Sequence, residues 1–404
     1  MLTSRMAKIL FIHPLGENYT RGREDMARLA NIMPPLGLCG LASWVESLGH
    51  QADIHDCYAH PGGSDAKIDR YLRAESPDYV GFSTTTSSFP DAIRIARAIG
   101  EGYPDITILF GGVHISALGA RLLEDYREID IGVVGEGERP LQAILSQGAD
   151  AKRIRSTPGI IFRAGSEIIS NPAQKADLDI DALPFPDYGK LEGFPDAYKL
   201  PIFNYPRSPA TTMVSSRGCP YQCSYCDRSV FRRSFRFNSA DYMVEQMKML
   251  RRRFGVRHVN FYDDLFTFHR DRVVEFCEAL ARANMPVSFN CAARAEHLDG
   301  DLLDLLKRAG CWMISLGIET GDPELLAQHR SHADLDMIAE RVRWIRRAGI
   351  RAKGLFMLGL PGETEASIDK SIDYALSLPL NDLNVSKFTP FPGSPVYAGI
   401  HAHG

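Results

Sequence analysis

Several things are missing from this chain, and each absence excludes a class of function. The N-terminal MLTSRMAKILFIHP has too short an apolar run for a secretory leader, and no later segment approaches the roughly 20 apolar residues of a membrane span. The expectation is a cytoplasmic protein with no membrane span, although a membrane-derived substrate stays compatible with it. There is no basic excess. A net charge of −4 argues against a nucleic-acid partner. Neither G-x-G-x-x-G nor G-x-x-x-x-G-K-[ST] occurs, so a phosphate-cradling nucleotide fold is not indicated. Eight cysteines in 404 residues are too few and too scattered for a secreted disulfide framework, and they fit a reducing compartment.

What is present includes ordinary globular material: 45% hydrophobic and 24% charged residues, enough for two or three domains. The informative stretch is TTMVSSRGCPYQCSYCDRSVFRRSFR at 211–236. Cys219, Cys223 and Cys226 lie within eight residues, just after an apolar β-type run. Thiolates are the usual ligands of iron–sulfur clusters, normally four per cubane. Three from one loop leave one iron without a protein sulfur, and an open metal position separates a catalytic site from a closed structural one. Zinc is the rival reading, but structural zinc usually takes two C-x2-4-C pairs and no second pair exists here. A disulfide would leave one of three thiols over. Cys39, Cys57, Cys277, Cys291 and Cys311 sit in apolar contexts and read as small buried hydrophobes. The basic run Arg228–Arg236 reads either as balance for an anionic cofactor or as a solvated face.

The C-x3-C-x2-C loop, with Tyr225 before its last cysteine, resembles the cluster motif of the radical S-adenosylmethionine (SAM) enzymes. That resemblance implies a 4Fe-4S iron–sulfur cluster whose open iron is chelated by SAM, and reductive cleavage of SAM to a 5′-deoxyadenosyl radical. It also implies an electron donor such as flavodoxin or ferredoxin.

In residues 1–150, strand-like runs alternate with helical patterns, which predicts an α/β fold with a doubly wound, Rossmann-like parallel sheet. Expected strands are Lys8–His13, Gln51–Asp56, Tyr79–Thr85, Thr107–His114 and Asp130–Gly135. Ligands of such sheets bind at the carboxyl ends of the strands. Those ends read HPLGEN, then Ser83 and Thr84, then Gly111-Gly112-Val113-His114, then Gly135-Glu136. PPLGL at 34–38, GGVH at 111–114 and GEGE at 135–138 resemble the cobalamin-binding domain that precedes many radical SAM barrels. The resemblance implies cobalamin contacts at Ser83, Thr84, Gly111, Gly112, His114, Gly135 and Glu136. The D-x-H-x-x-G loop that gives cobalt an axial histidine in other cobalamin proteins is absent, so cobalt without a protein histidine is expected. His114 has two readings, a strand-end structural histidine or a cobalamin-edge contact. For the domain, the rival is an α/β module that only shapes a cavity.

Residues 151–204 read as an ordered linker with a short hairpin over Gly159–Ile169. From 205 to 404 six βα repeats are expected, with strands Thr211–Ser216, His258–Tyr262, Val287–Ala292, Met313–Gly317, Lys353–Leu358 and Leu383–Phe388. Six repeats fall short of the eight of a closed barrel and predict a partial (β/α)6 TIM-type barrel, with its chemistry at the carboxyl ends of the strands. By resemblance, SAM is met there by Tyr225, by Asp263 or Asp264, by Arg294, by Glu319 and by the glycine-rich turn at Gly359. For each carboxylate the plain alternative is a helix N-terminal charge or a surface pair. Relatives continue beyond a point corresponding to Gly404, leaving open whether the sequence is shortened or the substrate cavity is closed by other elements.

The resemblance as a whole implies a cobalamin-dependent radical SAM enzyme. The activity expected is methyl transfer to an unactivated carbon of a small-molecule or lipid-like substrate. Oxidation or cyclisation with the same cofactors, or a barrel whose N-terminal domain makes no use of cobalamin, are the alternatives. A non-catalytic redox or metal sensor would have no need of acidic strand ends.

Overall fold

A computed structural model describes residues 6–16, 31–173, 178–201 and 203–402. The chain divides into two compact units, Met1–Tyr198 with Ser229–Phe231, and Lys199–Arg228 with Arg232–Gly404.

The first unit is built on a seven-stranded sheet. Its strands are β1 (Lys8–His13), β2 (Gln51–Asp56), β3 (Tyr79–Ser83), β4 (Thr107–Gly111), β5 (Ile131–Val133), β6 (Ile160–Ala164) and β7 (Glu167–Ser170), in the order β2-β1-β3-β4-β5-β6-β7. The first five are parallel, and the last two add antiparallel. Continuous apolar runs such as KILFIH suit strands covered on both faces. Alternate residues feed two cores: Leu10, Ile12, Val80, Phe82 and Phe110 on one face, and Ile9, Phe11, Tyr79, Leu109 and Val133 on the other. Among the helices of this unit are α1 (Leu36–Ser47), α2 (Ser64–Glu75), α3 (Phe89–Gly102), α4 (Val113–Leu118), α5 (Ala120–Asp125), α6 (Glu138–Gln147) and α7 (Ala151–Ile154).

Two expectations need correction here. The hairpin assigned to the linker is β6–β7, the far edge of this sheet, because Ile160, Ile161 and Phe162 are fully buried against it. The strand expected over Thr107–His114 stops at Gly111. Gly112 adopts a φ of +93°, a left-handed value that glycine tolerates, and a helix starts at Val113.

In the second unit, β8 (Ala210–Met213), β11 (His258–Phe261), β12 (Ser288–Ala293), β13 (Cys311–Glu319), β14 (Arg351–Leu358) and β15 (Asp382–Lys387) form a six-stranded, wholly parallel sheet in sequence order. This is the partial (β/α)6 barrel expected. Its helices start on side-chain caps that satisfy otherwise unpaired backbone amides. Ser239 caps α8 (Ala240–Phe254), Asp299 caps α10 (Gly300–Arg308), Asp334 caps α12 (Leu335–Arg347), and a Thr364–Ser367 capping box opens α13 (Glu365–Ser377). Between these lie α9 (Arg270–Arg282) and α11 (Pro323–His329), the latter absent from the sequence expectation. A two-residue antiparallel ladder joins β9 (Ser216–Arg217) to β10 (Arg236–Phe237) and ties together the two ends of the cysteine loop. Among the described residues no helix is long and apolar enough to cross a membrane.

Candidate metal and cofactor sites

The cysteine loop leaves β9 through Gly218, whose φ of +86° turns the chain at once. Cys223 is buried, Cys219 half-buried and Cys226 exposed. Although Cys226 keeps surface open to solvent, the protein crowded around its sulfur pushes the thiol up to about 12, and the neighbouring Cys223, Cys219, Asp264 and Glu319 add to the shift. Cys219 is raised as well, by burial first, against a backbone hydrogen bond at Tyr221. Cys219 and Cys226 therefore resist negative charge unless a cation enters their neighbourhood, and Cys223 lies in the neighbourhood of both. Structural zinc usually needs two C-x2-4-C pairs, and this loop supplies a single run of three thiols. A cubane does not need such pairs, since its thiolates bind separate irons. The donor set fits the cluster better than zinc.

The loop is braced by the barrel. Ser224 donates its amide to the His329 carbonyl (3.0 Å) and its hydroxyl to His329 Nδ1 (2.6 Å). His329 Nε2–H in turn donates to the Pro361 carbonyl at 2.8 Å. From the far end of the chain, the Val396 amide donates to the Ser224 carbonyl (3.1 Å), and a methyl group added at Gly393 would lie 2.3 Å from the Asp227 carboxylate.

The strand ends sort the predicted SAM residues. Asp263 is 6% exposed and accepts the Ser215 amide and hydroxyl, both at 2.6 Å, with Arg272 Nη2 3.6 Å away. That carboxylate is used up inside the protein. Asp264, the next residue, is exposed on the other side of the chain. Crowding by protein raises its pKa, Asp263 adds to this, and a bond from the Gly218 backbone works against it. Glu319 sits at a register shift between β13 and β14 with φ +70°, the kind of bulge that re-aims a side chain. A methyl at Gly317 would lie 2.6 Å from Glu319 Oε1, so a side chain there would shift the carboxylate. Burial raises the Glu319 carboxyl, while Arg330 and a hydrogen bond from Tyr225 oppose this. Gly359, with φ +91°, donates its amide to Glu363.

Arg294 differs most from expectation. Its guanidinium is paired with Glu296, donates to the Ser331 carbonyl (2.6 Å) and to Cys223 Sγ (3.7 Å), and stacks 3.9 Å from the Tyr221 ring centroid. It faces the cysteine loop directly. Tyr221 also shares a 2.8 Å hydrogen bond with His297, which Thr267 holds from the other side at 3.2 Å. The sequence reading overlooked His297, His329 and Arg272. For Arg272 a signal existed: a charge on the same helical face as Phe276 and Leu280, and only 1% exposed, is a buried ion-pair partner.

In the first unit the carboxyl ends of β3, β4 and β5 lie side by side. Thr84 is buried and donates its amide and hydroxyl to the Gly111 carbonyl, 2.9 and 3.0 Å. A methyl at Gly112 would strike the Thr84 backbone at 2.6 Å, so the two strand ends close on each other there. Ser83 ends β3, and Gly135, with φ +83°, donates to Ser116 Oγ at 3.0 Å. Glu136 follows, half-buried. This small-residue rim fits the edge of a large planar ligand. His114 sits in the first turn of α4, buried, with its ring 4.4 Å from that of Phe89 and Nδ1 3.2 Å from Thr86 Oγ1. Burial lowers its pKa. Of its two readings, these contacts favour packing. Glu17 and Asn18 of HPLGEN lie outside the described residues.

Comparison with known proteins adds to this geometry. The model of the radical SAM superfamily matches residues 213–375, and that of the B12 binding domain matches 23–145. An uncharacterized methyltransferase of Pyrococcus horikoshii is 25% identical over 89% of this chain and 77% of its own. The anaerobic magnesium-protoporphyrin IX monomethyl ester cyclase of Cereibacter sphaeroides is 28% identical over 96% of this chain, which spans only 63% of that relative. Among solved structures, the radical SAM methyltransferase TsrM of Kitasatospora setae, with cobalamin and an iron–sulfur cluster bound, superposes with a TM-score of 0.78. It is 19% identical, over 98% of this chain and 75% of that one.

Proposed function

The chain belongs to the radical SAM superfamily, with a B12 binding domain ahead of its radical SAM core, and from that premise we propose that it is a cobalamin-dependent enzyme transferring a methyl group to an unactivated carbon. The observation that carries the proposal is the common neighbourhood of Cys219, Cys223, Cys226, Asp264 and Glu319 at the strand ends of the partial barrel. When bound, the cluster supplies the electron that splits SAM into an adenosyl radical, and cobalamin supplies the methyl group. The chain's own residues do the holding. Cys219, Cys223 and Cys226 take the cluster. Asp264 accepts the SAM amino group, a role its neighbour Asp263 leaves to it. Glu319, aimed by the bulge and bonded to Tyr225, takes the ribose or methionine part, and Gly359 lies along the adenine. Arg294 faces the Cys223 sulfur and so acts on the cluster before it acts on the SAM carboxylate. Ser83, Thr84, Gly111, Gly112, Gly135 and Glu136 line the cobalamin edge.

The likeness to the cyclase supports one second reading, in which the same cofactors serve oxidation or ring closure. The substrate class proposed is small and organic or lipid-like, and the electron donor a flavodoxin or ferredoxin.

The test is anaerobic reconstitution with iron and sulfide, followed by reductant and SAM. The expected outcome is a cubane EPR signal that changes when SAM is added, together with 5′-deoxyadenosine, and loss of both in Cys223→Ala. Retained SAM cleavage in that variant overturns the cluster assignment. Methylated product from a supplied acceptor separates methyl transfer from cyclisation.

A further inference from the structure

Helix α11 and the residues that end it reach several parts of the barrel's strand-end site at once. The helix is pinned at its start, where the Asp322 side chain accepts the Glu324 and Leu325 amides (2.9 and 3.0 Å) and pairs with Lys370 of α13 at 2.6 Å. Its last residue is His329, and Arg330 and Ser331 follow directly. The Arg330 guanidinium donates to the Gly317 carbonyl, beside the register shift that aims Glu319. The Ser331 carbonyl accepts Arg294, which faces the Cys223 sulfur.

His329 joins two segments through one side chain, and the residue is only 8% exposed. Nδ1 lies 2.6 Å from the hydroxyl of Ser224, which stands between Cys223 and Tyr225. Nε2 lies 2.8 Å from the carbonyl of Pro361, in the turn that begins at Gly359. A carbonyl can only accept, so in the neutral ring Nε2 carries the hydrogen and Nδ1 accepts from Ser224. The turn also rests on the same helix, since a methyl at Gly362 would lie 3.4 Å from Gln328 Oε1. A leucine at 329 would fill the space with no polar atoms to satisfy, but it would leave the spacing of loop and turn unset. Those two segments are the ones assigned above to opposite ends of SAM, its methionine part at the cysteine loop and its adenine at the turn.

We infer that His329 is a positioning residue for SAM cleavage, a rigid two-ended link that holds the cysteine loop and the adenine turn at the separation SAM has to span. The inference rests on the SAM reading proposed above and concerns placement of SAM, not retention of iron. The Ser224 amide donates to the backbone carbonyl of residue 329 (3.0 Å) and the Val396 amide to the Ser224 carbonyl (3.1 Å), whatever side chain stands at 329. The loop therefore keeps its backbone support when the imidazole is removed.

The experiment reconstitutes the full chain anaerobically with iron and sulfide and compares it with His329→Phe, His329→Asn and His329→Gln. Iron content, the cubane EPR signal with and without SAM, equilibrium SAM binding and 5′-deoxyadenosine formation at saturating SAM are measured. In His329→Phe, iron content and the SAM-free signal should be unchanged, with SAM binding weakened about tenfold. Saturated cleavage should fall about tenfold to a hundredfold, the scale of a misplacement near 1 Å. Asparagine keeps an acceptor near the Nδ1 position and glutamine a donor near Nε2, so each should recover part of the loss. Unchanged SAM binding and cleavage in His329→Phe overturn the positioning role. Loss of iron from that variant overturns it too, because His329 is then only a brace of the loop. Should the variants at 329 fail to fold, Ser224→Ala removes the Nδ1 partner alone. It should slow cleavage with iron retained, and unslowed cleavage overturns the inference. A cubane that ignores SAM in the unaltered chain overturns the SAM reading itself, and the inference with it.

Discussion

Arg294 places a delocalised positive charge against the sulfur of a buried cysteine, and the consequence is electronic. A cation donating to a cluster thiolate favours the reduced cluster, so it raises the reduction potential. Arg294→Gln should lower the potential by on the order of tens of millivolts, read by EPR-monitored titration, with iron content unchanged. An unchanged potential would reduce Arg294 to a packing role. The carboxylates divide differently. Asp264→Asn and Glu319→Gln should each weaken SAM binding about tenfold, the loss of one charge-assisted hydrogen bond, with the cluster spectrum intact in the absence of SAM. Equilibrium binding measures this, and Asp263→Asn should instead fail by unfolding. The cysteines were legible in the sequence because their spacing is local and needs no tertiary context. Asp263 and Asp264 were not separable there, because both follow the end of β11 and only the buried Ser215 and Arg272 show which of the two is turned inward.

At the level of elements, the strand-and-helix alternation was readable because apolar runs and capping signals are written in short segments. The hairpin at 160–170 was misplaced because its burial depends on β5, which it joins from outside. Two elements carry predictions. The turn after β13 lays Gly321 on α13, where an added methyl would lie 2.6 Å from the Lys370 carbonyl oxygen and 2.7 Å from Ser371 Cα. Gly321→Ala should therefore cost about 1–3 kcal/mol in urea unfolding, the range for overpacked sites. His258 opens β11 fully buried, with Nδ1 2.8 Å from Ser288 Oγ. Burial depresses its pKa from 6.5 to about 3. Its neutral form is thus the folded form. Its share of stability is complete above pH 6.5 and drains away as pH falls toward 3, by up to a few kcal/mol. Urea midpoints at pH 7 and 4.5 should differ less in His258→Gln than in the unaltered chain.

For the molecule as a whole, two units with separate cores were foreseeable from the two successive series of βα repeats. Their cofactors were foreseeable only through resemblance, since a glycine rim has no chemistry of its own. If the first unit binds cobalamin, ligand linkage should raise its melting temperature, adding about 2.7 kcal/mol of stability at a hundredfold excess over Kd. Calorimetry with and without hydroxocobalamin checks this, and an unmoved melting profile counts against the rim.

The bracing of the cysteine loop by Gly393 and Val396 bears on how the protein is made. A ribosome releases the three thiols nearly 170 residues before the turn that secures them. Until that turn emerges, the loop has only part of its support, so a nascent chain presents its sulfurs to iron donors, oxygen and one another in an unsettled form. Metallation is then expected to follow translation, and slow loading would show first as oxidised thiols in otherwise finished chains.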